Sequence, residues 1–188
     1  MSAGIGWILA VLGLQRGLEL WVARRHSAWA RAQGGVEAGR EHYSLLVGVH
    51  LLFFVGLAVE VIGFATSPPD WWPLPLALFL LAQALRIWCL VALGPYWNTR
   101  IWVIPAHPPV TRGPYRYLRH PNYVVVVIEL LTLPLALGAW VTAITVSLLN
   151  LWVLMRFRIP TEEAALAEYT DYQETMAGHH RWLPFRSR

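Results

Sequence analysis

Residues 123–157 read YVVVVIELLTLPLALGAWVTAITVSLLNLWVLMRF, and this apolar stretch decides the fold. A helix needs about 20 mostly apolar residues to cross the hydrocarbon core of a bilayer. The tight junction around Gly138 divides the stretch, which predicts a hairpin of two membrane helices over residues 123–137 and 139–157. Working outward, three further apolar stretches predict three more crossings, at residues 4–22, 43–66 and 72–93.

The composition of the 188-residue chain fits a membrane protein and excludes other classes. Charged residues make up 14% of the chain and hydrophobic residues 56%, whereas soluble domains carry roughly 25% charged residues. The same apolar and aromatic content excludes a disordered chain. We therefore predict an all-α fold with a single domain over residues 1–188. It is an integral membrane helical bundle of about five transmembrane helices, with the lipid bilayer as its partner.

Neither a metal ion nor nucleic acid is expected to bind this protein. The single cysteine, Cys89, cannot form an internal disulfide, and no spacing of histidine or cysteine matches a metal site, so we expect no metal. The sequence also lacks a basic patch with interleaved aromatic residues, so we expect no nucleic acid.

The basic residues predict an orientation in the membrane, and all fifteen of them are arginines. Thirteen lie between the first and second spans, between the third and fourth, or around and after the end of the fifth. The positive-inside rule then places residues 94–122 in a cytoplasmic loop, residues 158–188 in a cytoplasmic tail with a C-terminal helix, and the amino terminus outside.

Charged residues inside the predicted spans are expected to pair within the protein. Arg16 and Glu19 are one helical turn apart, so we expect an ion pair between them. Glu60, Arg86 and Glu129 are costly to expose to lipid, and we expect them to face the interior.

The long loop and the tryptophans carry two more expectations. The loop over residues 94–122 has six prolines and several large apolar side chains, so we expect it to pack as a cap over the end of the bundle.

Tryptophans near span ends are expected to anchor the protein at the lipid headgroups. These are Trp7, Trp21, Trp71, Trp72, Trp97, Trp102 and Trp140.

Polar residues gather at two points on the predicted cytoplasmic side. Residues 113–123 read GPYRYLRHPNY where the fourth span begins, and a helix amino terminus attracts anionic groups. A basic flank with snorkelling arginines is the alternative. Residues 158–163 read RIPTEE, and an apolar stripe follows at helical spacing, formed by Leu166, Tyr169, Tyr172 and Met176. Here the alternative is a surface helix with acids in its first turn.

The strings RHPNY at residues 119–123 and RIPTEE at 158–163, with the Tyr-x-x-Tyr pattern that follows, resemble the isoprenylcysteine carboxyl methyltransferase family. The chain is most similar to its short bacterial branch, which is associated with methylating type III polyketide products. Further matching elements extend the likeness over almost the whole chain: Arg16…Glu19, Arg24-Arg25, Glu37…Glu41-His42-Tyr43, His50…Glu60 and Leu93-Gly94-x-x-Trp97.

The resemblance implies a multi-pass transmembrane methyltransferase of a bacterial plasma membrane with its cofactor pocket at the cytoplasmic end. It implies S-adenosyl-L-methionine as cofactor, S-adenosyl-L-homocysteine as product, and O-methyl transfer to a lipophilic small-molecule acceptor. The accepting oxygen is a carboxyl oxygen, or a phenol or enol oxygen, of a prenylated or alkylated lipid-like molecule, and both alternatives stay open.

The resemblance also assigns residues to these roles. Arg158 is expected to bind the acceptor anion catalytically, and Glu162 to fix the guanidinium of Arg158. Cofactor binding is expected of Tyr117, Arg119, His120, Pro121, Tyr123, Asn150 and Glu163. Arg119, His120 and the helix-start amides suit a carboxylate, and Glu162 or Glu163 suits an ammonium group or a ribose hydroxyl.

Two other functions compete with this hypothesis. A membrane sterol-type reductase would bind NADPH in a similar pocket, and a non-enzymatic membrane scaffold would bind no cofactor. A Rossmann methyltransferase is excluded because no glycine-rich turn follows a predicted strand.

Overall fold

The computed structural model describes residues 2–181, with the side chains of residues 2–5 left aside. Within that range the α-helices are α1 (Ser2–Ala32), α2 (Tyr43–Leu57), α3 (Pro73–Leu93), α4 (Pro121–Ala136), α5 (Trp140–Val153), α6 (Ile159–Tyr169) and α7 (Tyr172–Thr175). A π-helical segment, Ala58–Gly63, continues α2. Two three-residue strands, β1 (Val36–Ala38) and β2 (Ile101–Val103), pair in an antiparallel sheet that the sequence did not predict. The all-α helical fold is confirmed apart from this small sheet.

Helix lengths agree with a membrane-embedded bundle. Three continuous helical stretches are long and apolar enough to cross a bilayer, namely Tyr43–Gly63, Pro73–Tyr96 and Trp140–Tyr169. Helix α4 is apolar but shorter, and α1 contains the first predicted span within a helix of 31 residues. Large apolar side chains cover the outer faces, among them Leu51, Val55, Ile87, Val91, Val141 and Leu148. Such a surface suits lipid rather than water, while the number of crossings stays a prediction.

Helices α5 and α6 form one continuous helix rather than a span followed by a separate tail helix. A π-helical turn, Leu154–Arg158, joins them. Pro160 has no amide hydrogen to donate to the carbonyl four residues earlier, which interrupts the regular α-helical ladder at this point. The helix breaks only after Tyr169, so the predicted stripe of Leu166, Tyr169, Tyr172 and Met176 is divided between α6 and the segment after it.

The predicted hairpin at Gly138 is present between α4 and α5. Gly138 has a φ of +77°, a conformation that L side chains rarely adopt, and a Cβ placed there would lie 2.2 Å from the carbonyl oxygen of Ser67. Only glycine fits this turn. The carboxylate of Glu60 accepts hydrogen bonds from the amides of Val141 and Thr142, at 3.1 and 2.5 Å, and so caps the start of α5.

The bundle core lies between α2, α3, α4 and α5. Helix α3 packs along α4, α4 against α5, and α5 against α2. The buried apolar side chains of this core include Val49, Phe53, Leu57, Phe79, Leu130, Leu133, Val146 and Val153.

A polar cluster between α1, α3 and α4 satisfies the charged residues predicted to face inward. Arg16 contacts Glu19 at 2.6 Å, which confirms that pair, and reaches Glu129 at 2.7 Å. Arg86 also pairs with Glu129. Gln83 donates to the same carboxylate at 2.5 Å. Glu60 faces inward as predicted, away from this cluster, where it caps the start of α5.

The loop between α3 and α4 packs against the bundle end, as the sequence predicts. Strand β2 pairs with β1, with Val103 opposite Val36. Glu37 on β1 holds Arg100 at 2.6 Å and Arg40 at 2.7 Å. Burial alone would raise the pKa of Glu37, but hydrogen bonds from Arg40 and Arg100 outweigh it and lower the pKa below its ordinary value. Trp97 is only 3% exposed, so its prediction as a headgroup anchor is wrong.

Candidate active site

A cavity of about 150 Å³ lies between the α3–α4 loop with β2, the start of α4, and α6 with the segment that follows it. Five residues singled out from the sequence line it: Arg119, His120, Tyr123, Arg158 and Glu162. They come from both polar strings, RHPNY and RIPTEE, so the fold brings the two strings together around one space.

A hydrogen-bonded group formed by Tyr123, Arg158 and Glu162 occupies one wall. Arg158 Nε donates to the Tyr123 hydroxyl at 2.8 Å, and that hydroxyl donates to Glu162 Oε2. The guanidinium and carboxylate are farther apart, 3.9 Å from Arg158 Nε to Glu162 Oε2. Glu162 was expected to fix Arg158 directly, and here the phenol of Tyr123 lies between them.

A second group links His120 and Glu163 to the C-terminal segment. His120, buried at the start of α4, contacts Glu163 Oε1 through Nε2 at 2.9 Å. Arg181 Nε donates to the same oxygen at 3.0 Å, and its Nη2 pairs with Glu163 Oε2. These contacts raise the pKa of the Arg181 guanidinium. Glu163 thus joins α4, α6 and the tail beside the cavity.

Arg119 binds the tail through its backbone and side chain. Its amide donates to the carbonyl of His180 at 2.8 Å, and its Nε donates to the carbonyl of His179 at 3.0 Å. The tail is thereby held over the cavity, where Tyr172 and Met176 form part of the wall.

Four of the residues predicted to bind cofactor do not line this cavity. Glu163 stands behind the wall, in contact with the lining residue His120. Tyr117 is 56% exposed on the outer surface, and Pro121 is buried in the first turn of α4. Asn150 is fully buried in α5, and neither atom of its amide has a hydrogen-bond partner among the described residues.

Several of the unpartnered buried polar atoms belong to residues of the cavity wall. Folded proteins leave few such atoms, and each one costs about 1–3 kcal/mol. Within the described part of the chain, five belong to residues that line the cavity: Trp97 Nε1, Trp102 Nε1, Asn122 Oδ1, Arg158 Nη1 and Tyr172 Oη. Burial raises the pKa of Tyr172 and of Tyr115, another lining residue, so both hydroxyls keep their protons at neutral pH. The wall therefore offers mainly donors and suits a ligand rich in acceptor atoms.

Several lining residues were not identified as site residues from the sequence, notably Trp97, Arg100, Trp102, Tyr115 and Asn122. Tyr115 and Asn122 fall inside the string at residues 113–123, so their position was a usable signal. Trp97 belongs to the Leu93-Gly94-x-x-Trp97 element of the resemblance, but an aromatic residue near a span end is equally typical of a lipid anchor. Trp102 gave no signal beyond that position.

Comparison with known proteins identifies the family. The profile of the isoprenylcysteine carboxyl methyltransferase family matches residues 75–168, which contain most of α3, all of α4 and α5, and most of α6. The chain belongs to the isoprenylcysteine carboxyl methyltransferase family. The match spans both polar strings, so the residues that form the cavity wall on α4 and α6 lie inside the family domain.

Two relatives extend the similarity beyond that domain. An uncharacterized protein of Bacillus subtilis strain 168, YpbQ, is 42% identical over 165 residues, which cover 87% of this chain and 98% of the relative. An uncharacterized protein of Haemophilus influenzae is 28% identical over 149 residues, or 79% of this chain and 86% of that protein. Membership and the apolar helices together make this chain a membrane methyltransferase.

Proposed function

We propose that this methyltransferase uses S-adenosyl-L-methionine to methylate an oxygen anion on a lipophilic acceptor that reaches the cavity from the bilayer. The observation that carries the proposal is Arg158. Its side chain is 5% exposed in the cavity wall, and its Nη1 has no partner among the described residues. A buried guanidinium with a free donor end is suited to hold an anion by charge-assisted hydrogen bonds.

The accepting oxygen belongs to a carboxylate, or to a phenolate or enolate. Each of these is an anion that needs little help from a base, and Arg158 would orient it. A hydrophobic tail on the acceptor would stay in the lipid beside the apolar outer faces of the bundle. S-adenosyl-L-homocysteine is the product that this chemistry leaves.

The side chains around the cavity fit the cofactor. When bound, S-adenosyl-L-methionine supplies an electrophilic methyl group on a sulfonium. Arg119 and His120 would hold its carboxylate, while the ring of Tyr123 lies in the wall. Glu163, behind the wall, would act through His120, which it contacts at 2.9 Å. The indole N–H groups of Trp97 and Trp102 and the Asn122 carbonyl offer donors and an acceptor to an adenine edge. The cavity is smaller than the roughly 300–1,000 Å³ of common ligand pockets, so we expect its wall to move outward on binding.

Membrane orientation is part of the proposal. We propose five crossings, an outside amino terminus and a cytoplasmic tail, because the arginines between and after the spans favour that arrangement. Arg186 and Arg188, which contribute to this count, lie outside the described residues. The cavity would then open toward the cytoplasm, where the soluble cofactor is found.

Calorimetry on the detergent-purified protein tests the cofactor. We expect binding of S-adenosyl-L-homocysteine and none of NADPH. Binding of NADPH alone would support a sterol-type reductase instead, and binding of neither would support a scaffold.

Two substitutions test the cofactor residues. His120→Ala and Glu163→Ala each remove a charge-assisted contact worth roughly 1.5–3 kcal/mol, so we expect affinity for S-adenosyl-L-homocysteine to fall about ten- to hundredfold. Glu174→Ala, which removes an exposed acid of α7, is the matched control and should bind normally. Parent-like affinity in both cavity variants would refute the assignment.

A further inference from the structure

The hydroxyl of Tyr123 stands between two opposite charges that would otherwise meet. It accepts from Arg158 Nε at 2.8 Å and donates to Glu162 Oε2. The direct separation from Arg158 Nε to that same oxygen is 3.9 Å, too long for a hydrogen bond. The phenol occupies the place where a direct hydrogen bond between these two residues, one helical turn apart, would form.

This arrangement determines which donors of Arg158 are left over. A phenol has one proton to donate and lone pairs to accept with, and here the proton goes to Glu162 while a lone pair takes the Nε–H of Arg158. Arginine and carboxylate groups in direct contact often form two parallel hydrogen bonds, which would use up an edge of the guanidinium. The contact through Tyr123 uses one N–H, and Nη1 stays unpartnered among the described residues.

We propose that Tyr123 is a positioning residue that keeps Arg158 from hydrogen-bonding directly to Glu162, so that the remaining N–H groups of the guanidinium stay free for the acceptor anion. The inference rests on the proposed function, because Arg158 is taken there as the anion-binding group. Tyr123 itself keeps its proton, and no bond is made or broken at it. Without the hydroxyl, Glu162 would draw the guanidinium toward itself and occupy its free N–H groups.

Tyr123→Phe tests this role with the smallest possible change. The ring, which stacks on His120 with centroids 5.4 Å apart, is retained, and only the hydroxyl is lost. We expect kcat for methyl transfer to an alkylated phenol to fall on the order of a hundredfold, as for loss of one oxyanion donor. Affinity for S-adenosyl-L-homocysteine should stay within about twofold of the parent, because the ring, which is the part of Tyr123 assigned to the cofactor, is retained.

The double variant Tyr123→Phe, Glu162→Gln separates a spacer from a general structural role. A neutral amide attracts the guanidinium less than a carboxylate does, so the double variant should recover to within about threefold of Glu162→Gln alone. A structural role for the hydroxyl predicts the opposite, with the double variant no better than Tyr123→Phe. If Tyr123→Phe alone fails to fold, kcat of the double variant is compared with kcat of Glu162→Gln, and a large further loss would contradict the spacer role. Tyr169→Phe, on α6 and outside the cavity wall, is the control and should act like the parent.

The outcomes distinguish the two proposals. Unchanged kcat in Tyr123→Phe, or an equal loss in the single and double variants, overturns the spacer role. A parent protein that binds no S-adenosyl-L-homocysteine and transfers no methyl group overturns the proposed function instead.

Discussion

Arg158 is better placed as an anion receptor than as a lipid anchor. A snorkelling arginine extends its charge toward headgroup water, whereas the side chain of Arg158 is 5% exposed and contacts Tyr123. Neighbouring Arg156 is exposed and serves as the internal comparison, since it lies on the same π-helical turn.

Replacing Arg158 by lysine separates binding from turnover. Lysine keeps the charge but offers a point donor in place of a planar fork. We expect Arg158→Lys to bind S-adenosyl-L-homocysteine normally and to lose on the order of a hundredfold in kcat, with a milder loss in Glu162→Gln. Parallel calorimetry and methyl-transfer assays on an alkylated phenol measure both effects. Arg156→Lys should match the parent, and full turnover in Arg158→Lys would leave only the anchor role.

At the residue scale, the sequence predicted the part of the site formed by RHPNY and RIPTEE and missed the part formed by the α3–α4 loop. RHPNY and RIPTEE could be predicted to meet because each adjoins the end of an apolar helix on the same predicted side of the membrane. The direct contact expected between Arg158 and Glu162 could not be corrected from spacing, because Tyr123 lies 35 positions from Arg158 in the chain and enters between them only in the folded protein. Asn150 also lies away from the cavity. Helical periodicity does not show which of the neighbouring helices a buried residue faces.

At the scale of elements, the predicted helices are present in the structure, but some of their ends lie elsewhere than predicted. Apolar length and the glycine at residue 138 predict the α4–α5 hairpin, because both act locally. The continuity of α5 with α6 was missed, since a membrane-surface boundary in composition does not require a break in the helix. The β1–β2 pair was also missed, because three-residue strands carry almost no pattern and their pairing joins distant segments.

Gly138→Ala tests the hairpin. The added methyl group would meet the Ser67 carbonyl oxygen at 2.2 Å in a left-handed backbone conformation, so we expect marked destabilisation. Gly48→Ala, within α2, adds a methyl group that would have nothing within 4 Å, so it should be neutral or stabilise by about 0.5–1 kcal/mol. Thermal unfolding in detergent compares the two, and equal midpoints would contradict the turn requirement.

The polar cluster at Glu129 gives a second prediction at this scale. Removing one partner of a buried ion pair leaves an uncompensated charge and costs about 3–5 kcal/mol, so Arg86→Met should be severely destabilised. The double variant Arg86→Met, Glu129→Met restores charge balance and should recover part of the loss. Arg40→Ala removes an exposed arginine and should have little effect. Equal midpoints for Arg86→Met and Arg40→Ala would show that the cluster contributes little.

For the whole molecule, the distribution of arginine predicts one orientation. A reporter fused after Arg188 should read cytoplasmic, and one inserted at Pro69, between the second and third predicted spans, should read external. A matched insertion at Pro108, in the α3–α4 loop, should agree with the fusion after Arg188. Placement of the Pro69 and Arg188 reporters on the same side would remove the five-crossing arrangement.

The cavity wall has a consequence for biosynthesis. Its residues begin at Leu93 and extend to Met176, so helices α1 to α5 are synthesised before the last wall residue. A chain synthesised only to the end of α5 has the helices of the bundle but lacks part of the cavity wall. If the cavity binds the proposed cofactor, affinity arises only late in synthesis, and a nascent chain released before Met176 would lack part of the binding wall.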